Sequence, residues 1–441
     1  MCVEVPRLIE NDEWGGEVPH HAPVYWLDFE KTGTPRNVVA SLPALLRASH
    51  HYLSEERDTD YGSELHSPRV KVDRLYVTHC SPSFRDPGEF VETLCPRHLI
   101  VSAEELSSPA TAPSSADMFN SVRFGQSNHF LHSIDISSIA PYIRSIRVLL
   151  SCCSELKAAP DLSTLQHLVK IEYGFLCYCP ALSGTIDFSS MTALTSIGDN
   201  FVNGTSLSSI ILPPSLSSIG EGFLMDSPNL TKIDLSPLKR LTVIPVEFMS
   251  CCTSITEVDL SPLAEVTTIG SGFLYDCAGI TALDTSVLKH LRSLGGNFAG
   301  GTGVTSINLE GFKQTATSHV TDLGPGFLLG CAALVSVDLS PLSQIKFIGS
   351  RFMGHCTSLT AADMSMMTHV RRIEEGFFGQ CTNLATLDMT TLPMNKESTR
   401  FSFEGCTNLK TVVAPEAKCH GPALGRLTRG CKSVGAKIIL K

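Results

Sequence analysis

Ile269-Gly-Ser-Gly-Phe-Leu-Tyr-Asp-Cys277 decides the reading of this chain, because it returns as Leu323-Gly-Pro-Gly-Phe-Leu-Leu-Gly-Cys331 and again as Ile373-Glu-Glu-Gly-Phe-Phe-Gly-Gln-Cys381. Aligned on phenylalanine, the unit recurs at Phe175, Phe201, Phe223, Phe248, Phe273, Phe298, Phe327, Phe352, Phe377 and Phe403, with spacings of 26, 22, 25, 25, 25, 29, 25, 25 and 26. Each cysteine is followed three residues later by an aliphatic and then by an alternating apolar pair: Cys331 by Leu334, Val337 and Leu339, Cys381 by Leu384, Leu387 and Met389. Self-similarity at a fixed period of about 25 residues is the signature of a solenoid, in which each unit buries its apolar face only against its neighbours.

Degenerate copies extend the pattern in both directions. Ile134-Asp-Ile-Ser-Ser-Ile139 matches Val337-Asp-Leu-Ser-Pro-Leu342, Leu149…Cys153…Leu156 matches the Phe…Cys…Leu spacing, and Leu427…Cys431…Val434 reads as a last partial rung. The count comes to about twelve turns, well above the three or so a solenoid needs. In Ser336-Val-Asp-Leu-Ser340 the period-two alternation predicts a strand with Val337 and Leu339 inward and Ser336, Asp338 and Ser340 outward. Phe, Cys and Ile fill the interior of each turn, and Gly222, Gly272, Gly326 and Gly376 precede Phe where the backbone must turn sharply. Ser-Pro-Leu at 236–238, 261–263 and 340–342 closes the strand, since proline cannot donate to a central ladder. Connectors this short leave room for turns or a 3₁₀ piece and for little α-helix.

These motifs, Gly-x-Phe-x-x-x-Cys followed by Leu-x-x-Leu-x-Leu and Asp-Leu-Ser-Pro-Leu, resemble the BspA-like subclass of leucine-rich repeats over residues 130–441. The resemblance implies a leucine-rich-repeat solenoid with a parallel β-sheet on its concave face and turns or short 3₁₀ connectors on the convex side. It also implies adhesion or protein interaction, as in bacterial surface antigens and large protist families.

Function then belongs to the outward positions. One column reads Asp187, Asp234, Asp259, Asp284, Asn308, Asp338, Asp363 and Asp388. Carboxylates on neighbouring turns repel by about 1 kcal/mol each in water-like surroundings, so something must relieve them. Either each Asp caps the turn that follows it, or the stripe binds a basic segment of a partner or cations; a calcium ladder lacks the clustered oxygen ligands. The flanking column (Thr185, Ser209, Lys232, Glu257, Ala282, Ser306, Ser336, Ala361, Thr386, Thr411) is small and mixed, without the aromatic or arginine anchors of hot spots. Two irregular turns are candidate recognition loops: 309–327, with Lys313 and His319, and 393–400, with Lys396 and Arg400.

Other chemistry is thin. One cysteine per turn (Cys179, Cys252, Cys277, Cys331, Cys356, Cys381, Cys406, Cys431) is core packing rather than the clustered spacing of zinc. His79-Cys80 with Cys95-Pro-Arg-His98 is a weak metal pattern, and no nucleophile elbow, metalloprotease helix or phosphate loop occurs. No cofactor is expected, and no enzyme. Asn203-Gly-Thr205 and Asn229-Leu-Thr231 are sequons with meaning only for an exported protein.

Composition agrees. The 441 residues are 43% hydrophobic and 18% charged, with a formal charge of −10. Residues 1–129 carry 11 Lys+Arg against 19 Asp+Glu, and 130–441 carry 23 against 25, so neither part has the basic surface that nucleic acid requires. No apolar run reaches the ~18 residues of a membrane span, and the acidic N-terminus does not read as a signal peptide. Cytoplasmic residence is expected, and with it reduced cysteines; a cell-surface site would need an export signal. Residues 1–105 lie outside the repeat and read as a small α/β or partly ordered extension, with helix candidates at Leu42–Glu55 and Phe90–Leu94 and a strand candidate at Val70–His79. Residues 106–129, rich in Ser, Pro and Ala, read as a linker. The functional expectation is a non-enzymatic scaffold for a protein partner, with a surface adhesin as the alternative and an N-terminal metal-binding or catalytic module as a second one.

Overall fold

The computed structural model describes residues 24–28, 70–78, 94–101, 122–124, 131–137, 140–315, 319–394, 403–416 and 421–441. The chain is a parallel-strand β-solenoid of about eleven turns with little helix. Two compact units are distinguished by their internal contacts, Met1–Leu194 and Thr195–Lys441.

In the first unit, strands Val24–Asp28, Val70–Thr78, Leu94–Val101 and Ser133–Asp135 lie side by side in that order, all parallel. The strand candidate at 70–79 is thus present. The helix candidate Leu42–Glu55 lies outside the described residues, as do residues 90–93 of the second one, while Leu94 opens a strand instead of closing a helix. Val122–Phe124, within the span read as a linker, pairs in parallel with Ser145–Leu149, which pairs with Lys170–Tyr173.

In the second unit short strands fall into two sets of parallel ladders, although the turns at 257–259 and 336–338 contribute no strand to the first. One ladder carries the Asp column: Ala282–Asp284 pairs with Ser306–Asn308, and Ala361–Asp363 with Thr386–Asp388 and then Thr411–Ala414. The other precedes each Gly-x-Phe: Val243–Ile244, Thr268–Ile269 and Ser293–Leu294 stack, and so do Asp322–Leu323, Phe347–Ile348 and Arg372–Ile373. This second ladder escapes a reading by alternation, because a strand of two residues has no period to read.

The strand expected over Ser336–Ser340 does not form: no strand occupies these residues. Leu339 is buried as expected, but its φ of −91° and ψ of 0° have already left extended backbone, and Val337 is only half-buried. The chain turns immediately after Asp338 into the 3₁₀ segment Ser340–Leu342, and Ser236–Leu238 and Ser261–Leu263 do the same. Proline suits this position because the first turn of a helix leaves its N–H unused.

The Gly-x-Phe segment turns by alternating the hand of its backbone. Gly272, Leu274 and Asp276 have φ of 76°, 53° and 58°, and the same three positions are left-handed in neighbouring turns. Each left-handed residue outside glycine costs about 1–2 kcal/mol, and inter-turn bonds offset that cost: Gly272 N–H donates to Gly296 O at 2.9 Å, Leu274 N–H to Phe248 O at 3.1 Å and Asp276 N–H to Gly300 O at 2.7 Å. Inside, Phe201, Phe223, Phe248, Phe273, Phe298, Phe327, Phe352 and Phe377 form one stack, with centroids 5.3–5.8 Å apart and planes within 18° of parallel. In the irregular turn Phe312 stands edge-on to both Phe298 and Phe327, at 5.4 and 5.8 Å, and plugs the core that the extra residues would otherwise open.

The last partial rung is not a rung. Leu427, Cys431 and Val434 lie on an α-helix, Gly421–Val434, which turns Leu427 and Cys431 inward and leads to a final strand, Lys437–Leu440, beside Thr411–Ala414.

Candidate functional site

Every member of the Asp column has an i+2 backbone bond. Oδ1 of Asp187, Asp234, Asp259, Asp284, Asp338, Asp363 and Asp388 accepts from the N–H of Ser189, Ser236, Ser261, Ser286, Ser340, Ser365 and Thr390 at 2.7–2.9 Å. Asn308 does the same to Glu310 N–H at 3.0 Å, and Asp135 and Asp161 carry the motif into the first unit. The side chain thus satisfies the first orphan donor of the 3₁₀ turn. Ser189, Ser236 and Ser365 each bond through hydroxyl and N–H, holding the carboxyls of Asp187, Asp234 and Asp363 below the usual carboxylate range.

The column stays open to solvent: all are exposed except Asp388, which is half-buried. Register places Asp284 opposite Asn308 and Asp363 opposite Asp388, about 4.8 Å apart across a ladder. Capping engages one oxygen of each carboxylate and leaves the charge on the surface. The flanking column keeps its register too, with Ser209 opposite Lys232, Ala282 opposite Ser306, and Ala361, Thr386 and Thr411 in line.

Of the loop candidates, Lys313 is exposed and pairs with Glu310 at 3.6 Å, and exposed His319 donates its backbone N–H to Leu291 O at 3.0 Å. Lys396 and Arg400 lie outside the described residues, as do His79 and Cys80, whereas Cys95 and His98 fall on the strand Leu94–Val101. Among the described residues no group of three or more His, Cys, Asp or Glu side chains could hold a metal ion. Asn203 is fully buried and Thr205 nearly so, which leaves no room for a glycan on the first sequon in this fold; Asn229 and Thr231 are exposed.

The cysteine column is a hydrogen-bonding device as well as packing. Each thiol reaches back to the carbonyl of a left-handed residue one turn earlier: Cys252 to Leu224 at 3.2 Å, Cys277 to Met249 at 3.0 Å, Cys331 to Ala299, Cys356 to Leu328 and Cys381 to Met353 at 3.2 Å, and Cys406 to Phe378 at 3.0 Å. Where cysteine is absent a hydroxyl stands in its place: Ser227 reaches Val202 O one turn back at 3.4 Å, and Thr205 and Thr302 bond Val202 O and Ala299 O within their own turns. Burial pushes the thiol pKa of Cys331 up to about 11 and that of Cys381 up to about 12, and raises Cys356 and Cys406 as well. A thiol bond with Cys252 and burial together raise Cys277. Such sulfurs are protonated and inert rather than nucleophilic.

Just before the strands of the second set stands a column absent from the sequence reading: Thr242, Thr267, Arg292, Thr321, Lys346 and Arg371, of which Thr267 and Thr321 are half-buried and the other four exposed, with exposed Asp322 next to Thr321. Beside the column Arg372 lies over the Phe347 ring at 5.4 Å and pairs with Glu374 at 3.0 Å. Repeat alignment could have found this column, since each member precedes the buried aliphatic of its turn by two residues.

The profile of the BspA-type leucine-rich repeat region matches residues 162–299 and 301–419, in six copies. Among solved structures the chain is similar to a leucine-rich repeat protein from Bacteroides ovatus, at 17% identity and TM-score 0.39 over 88% of this chain and 100% of that one. It is also similar to a leucine-rich cell surface protein from Faecalibacterium prausnitzii, at 12% identity and TM-score 0.34 over 83% and 88%. A third, the functional domain of InlJ from Listeria monocytogenes, whose description includes a cysteine ladder, gives 17% identity and TM-score 0.25 over 64% and 69%. No curated protein matches the sequence.

Proposed function

The chain belongs to the BspA-type leucine-rich-repeat family, and from that premise we propose that it is a non-enzymatic protein-interaction scaffold whose recognition surface is the Asp column. One observation carries the reading: the carboxylates of Asp187, Asp234, Asp259, Asp284, Asp338 and Asp363 remain exposed on side chains already held by their caps, the series being interrupted only at Ile211 and Asn308. A cap fixes rotamers before binding, so a partner loses less ordering entropy on meeting the stripe. The chemistry that fits is an extended basic segment presenting Lys or Arg along the solenoid. Single surface ion pairs are worth about 0–1 kcal/mol, so such recognition is distributed over several turns and weakens with salt.

Asn308 shows that asparagine caps the turn as aspartate does. Asp259→Asn/Asp284→Asn/Asp338→Asn therefore removes three charges and keeps the caps. The expected result is an unchanged melting temperature and loss of partner capture from native extract; undiminished capture removes the Asp column as the recognition surface.

A reducing compartment fits this reading, because every cysteine described between Cys152 and Cys431 is a free thiol. Among the described residues no helix is long and apolar enough to cross a membrane.

A further inference from the structure

In the first unit the ladder that carries the Asp column breaks in the turn between Ser133–Asp135 and Ser183–Asp187, two strands that each end a sheet. No strand occupies residues 157–161 in that turn. Pro160 accounts for the break, because it brings no N–H to a ladder that needs one. Both turns at the break are also one residue longer than later ones. Asp161 and Asp187 follow Cys153 and Cys179 by eight residues, whereas Asp259, Asp284, Asp338, Asp363 and Asp388 follow their cysteines by seven. Gly184 takes up the extra residue in the second of these turns, with a φ of +86° and open space where a Cβ would stand.

A cavity of about 370 Å³ opens at the break. Asp161 and Asp187 line it, both exposed and both held by their caps, with Oδ1 accepting from the N–H of Ser163 and Ser189 at 3.0 and 2.7 Å. The hydroxyls of Ser183, Thr185 and Ser190 add three more acceptors, and Ala158, Ala159 and Pro160 supply a wall of small apolar groups. No cation lines the cavity; Lys157, next to Ala158 in sequence, stands outside it.

We infer that this cavity is the subsite for one arginine of the basic segment that the Asp column recognises. A guanidinium carries five N–H donors in a planar fork and no acceptor, and it meets two carboxylates and three hydroxyls here. Its methylene stem lies on the alanine and proline wall while the charged head stays wet. The compact ammonium of lysine has three donors and satisfies fewer of these groups. The volume is at the lower end of the roughly 300–1,000 Å³ of small-ligand sites, room for one long side chain. Both carboxylates are exposed, so the contact is modest and salt-dependent. The inference rests on the reading of the Asp column as a recognition surface, and adds where its partner is anchored and by which residue.

Saturation-transfer difference NMR on the full chain tests it with the tripeptide acetyl-Ala-Arg-Ala-amide. Two analogues replace the arginine by lysine or by citrulline, which keeps the shape of arginine and lacks its charge. The arginine side-chain protons should receive saturation at about 20 mM salt and lose it at about 500 mM. The lysine peptide should give a weaker signal, and the citrulline peptide one weaker by about fivefold or more. Two variants locate the site. Asp161→Asn/Asp187→Asn removes both charges and keeps the caps, as Asn308 does. Ala158→Phe keeps both charges and fills the cavity from an exposed position. Each should lose the arginine signal with an unchanged melting temperature. Should Ala158→Phe misfold, Thr185→Arg takes its place and fills the cavity with a cation of the chain's own.

A wild-type chain that transfers no saturation to the arginine peptide overturns the inference. A citrulline or lysine signal equal to that of arginine also overturns it, as does an arginine signal that survives in either folded variant. Failure here remains distinguishable from failure of the recognition reading. The tripeptide needs no native partner, and Asp259→Asn/Asp284→Asn/Asp338→Asn leaves every residue of this cavity in place. Partner capture lost in that triple variant while the tripeptide stays silent strikes the subsite and keeps the column; the opposite pair of results strikes the column and keeps the subsite.

Discussion

At the scale of single residues the repeated side chains do two things at once. Asp259 caps Ser261 N–H at 2.8 Å and also accepts from the Ser261 hydroxyl at 2.8 Å, while its charge faces water. Replacement by alanine deletes cap and charge together, and replacement by asparagine deletes only charge. Asp259→Ala should cost about 1 kcal/mol in urea unfolding, as lost caps do, and Asp259→Asn should stay within about 0.5 kcal/mol of the parent. Equal losses would show that the charge, not the cap, holds the turn. Cys356 separates packing from bonding in the same way. Its thiol serves Leu328 O at 3.2 Å, and Ser227 shows that a hydroxyl serves the equivalent carbonyl. Cys356→Ala should therefore destabilise by about 1 kcal/mol more than Cys356→Ser, because Leu328 O would keep only the long bond from Cys331 N–H at 3.5 Å. The reverse order would reduce the column to volume alone.

At the scale of elements, two glycines in the repeated motif have different reasons. A Cβ on Gly295 would sit 2.3 Å from Ser271 N and 2.5 Å from Gly270 C, both backbone of the turn before, so the position demands close approach. Gly330 has φ of +75° and nothing nearer than 3.7 Å, so it demands only a left-handed backbone. Gly330→Ala should cost about 1–2 kcal/mol. Gly295→Ala should cost more, because the backbone of the preceding turn cannot move aside as a side chain can; chemical denaturation of the two variants compares them directly, and a smaller loss at 295 would mean the turns slide freely. Elements also mark the limits of reading by pattern. Phe, Cys and the Asp column were legible because they repeat about every 25 residues over ten turns. The second sheet was not, since Thr268–Ile269 offers a single inward residue. Leu427…Cys431…Val434 misled because spacings of four and three fit the repeat and equally one face of an α-helix, which is what forms there. Arg292, Lys346 and Arg371 stood 54 and 25 residues apart and became a column only once the turns were stacked.

At the scale of the whole molecule, small terms repeated turn after turn become a collective property, and the thiols give the clearest instance. In the unfolded chain each ionises near its ordinary pKa of 9.0; in the folded chain Cys331 holds its proton to about 11 and Cys381 to about 12, with Cys277, Cys356 and Cys406 also raised. Between those values the unfolded state binds fewer protons than the native one, so stability falls as pH rises. The contribution is fully present below pH 9 and is lost as pH climbs through 11 and 12. Each ionising thiol adds a slope of up to about 1.4 kcal/mol per pH unit, and several act together because the turns share one core. The expected outcome is a melting temperature that is flat from neutrality to about pH 9 and then drops steeply. Lys and Tyr titrate in the same window, so the decisive measurement is a comparison: Cys331→Ser/Cys356→Ser/Cys381→Ser should descend more gently above pH 9 than the parent. Parallel curves for the two proteins would mean that the buried thiols do not set the alkaline limit of this solenoid.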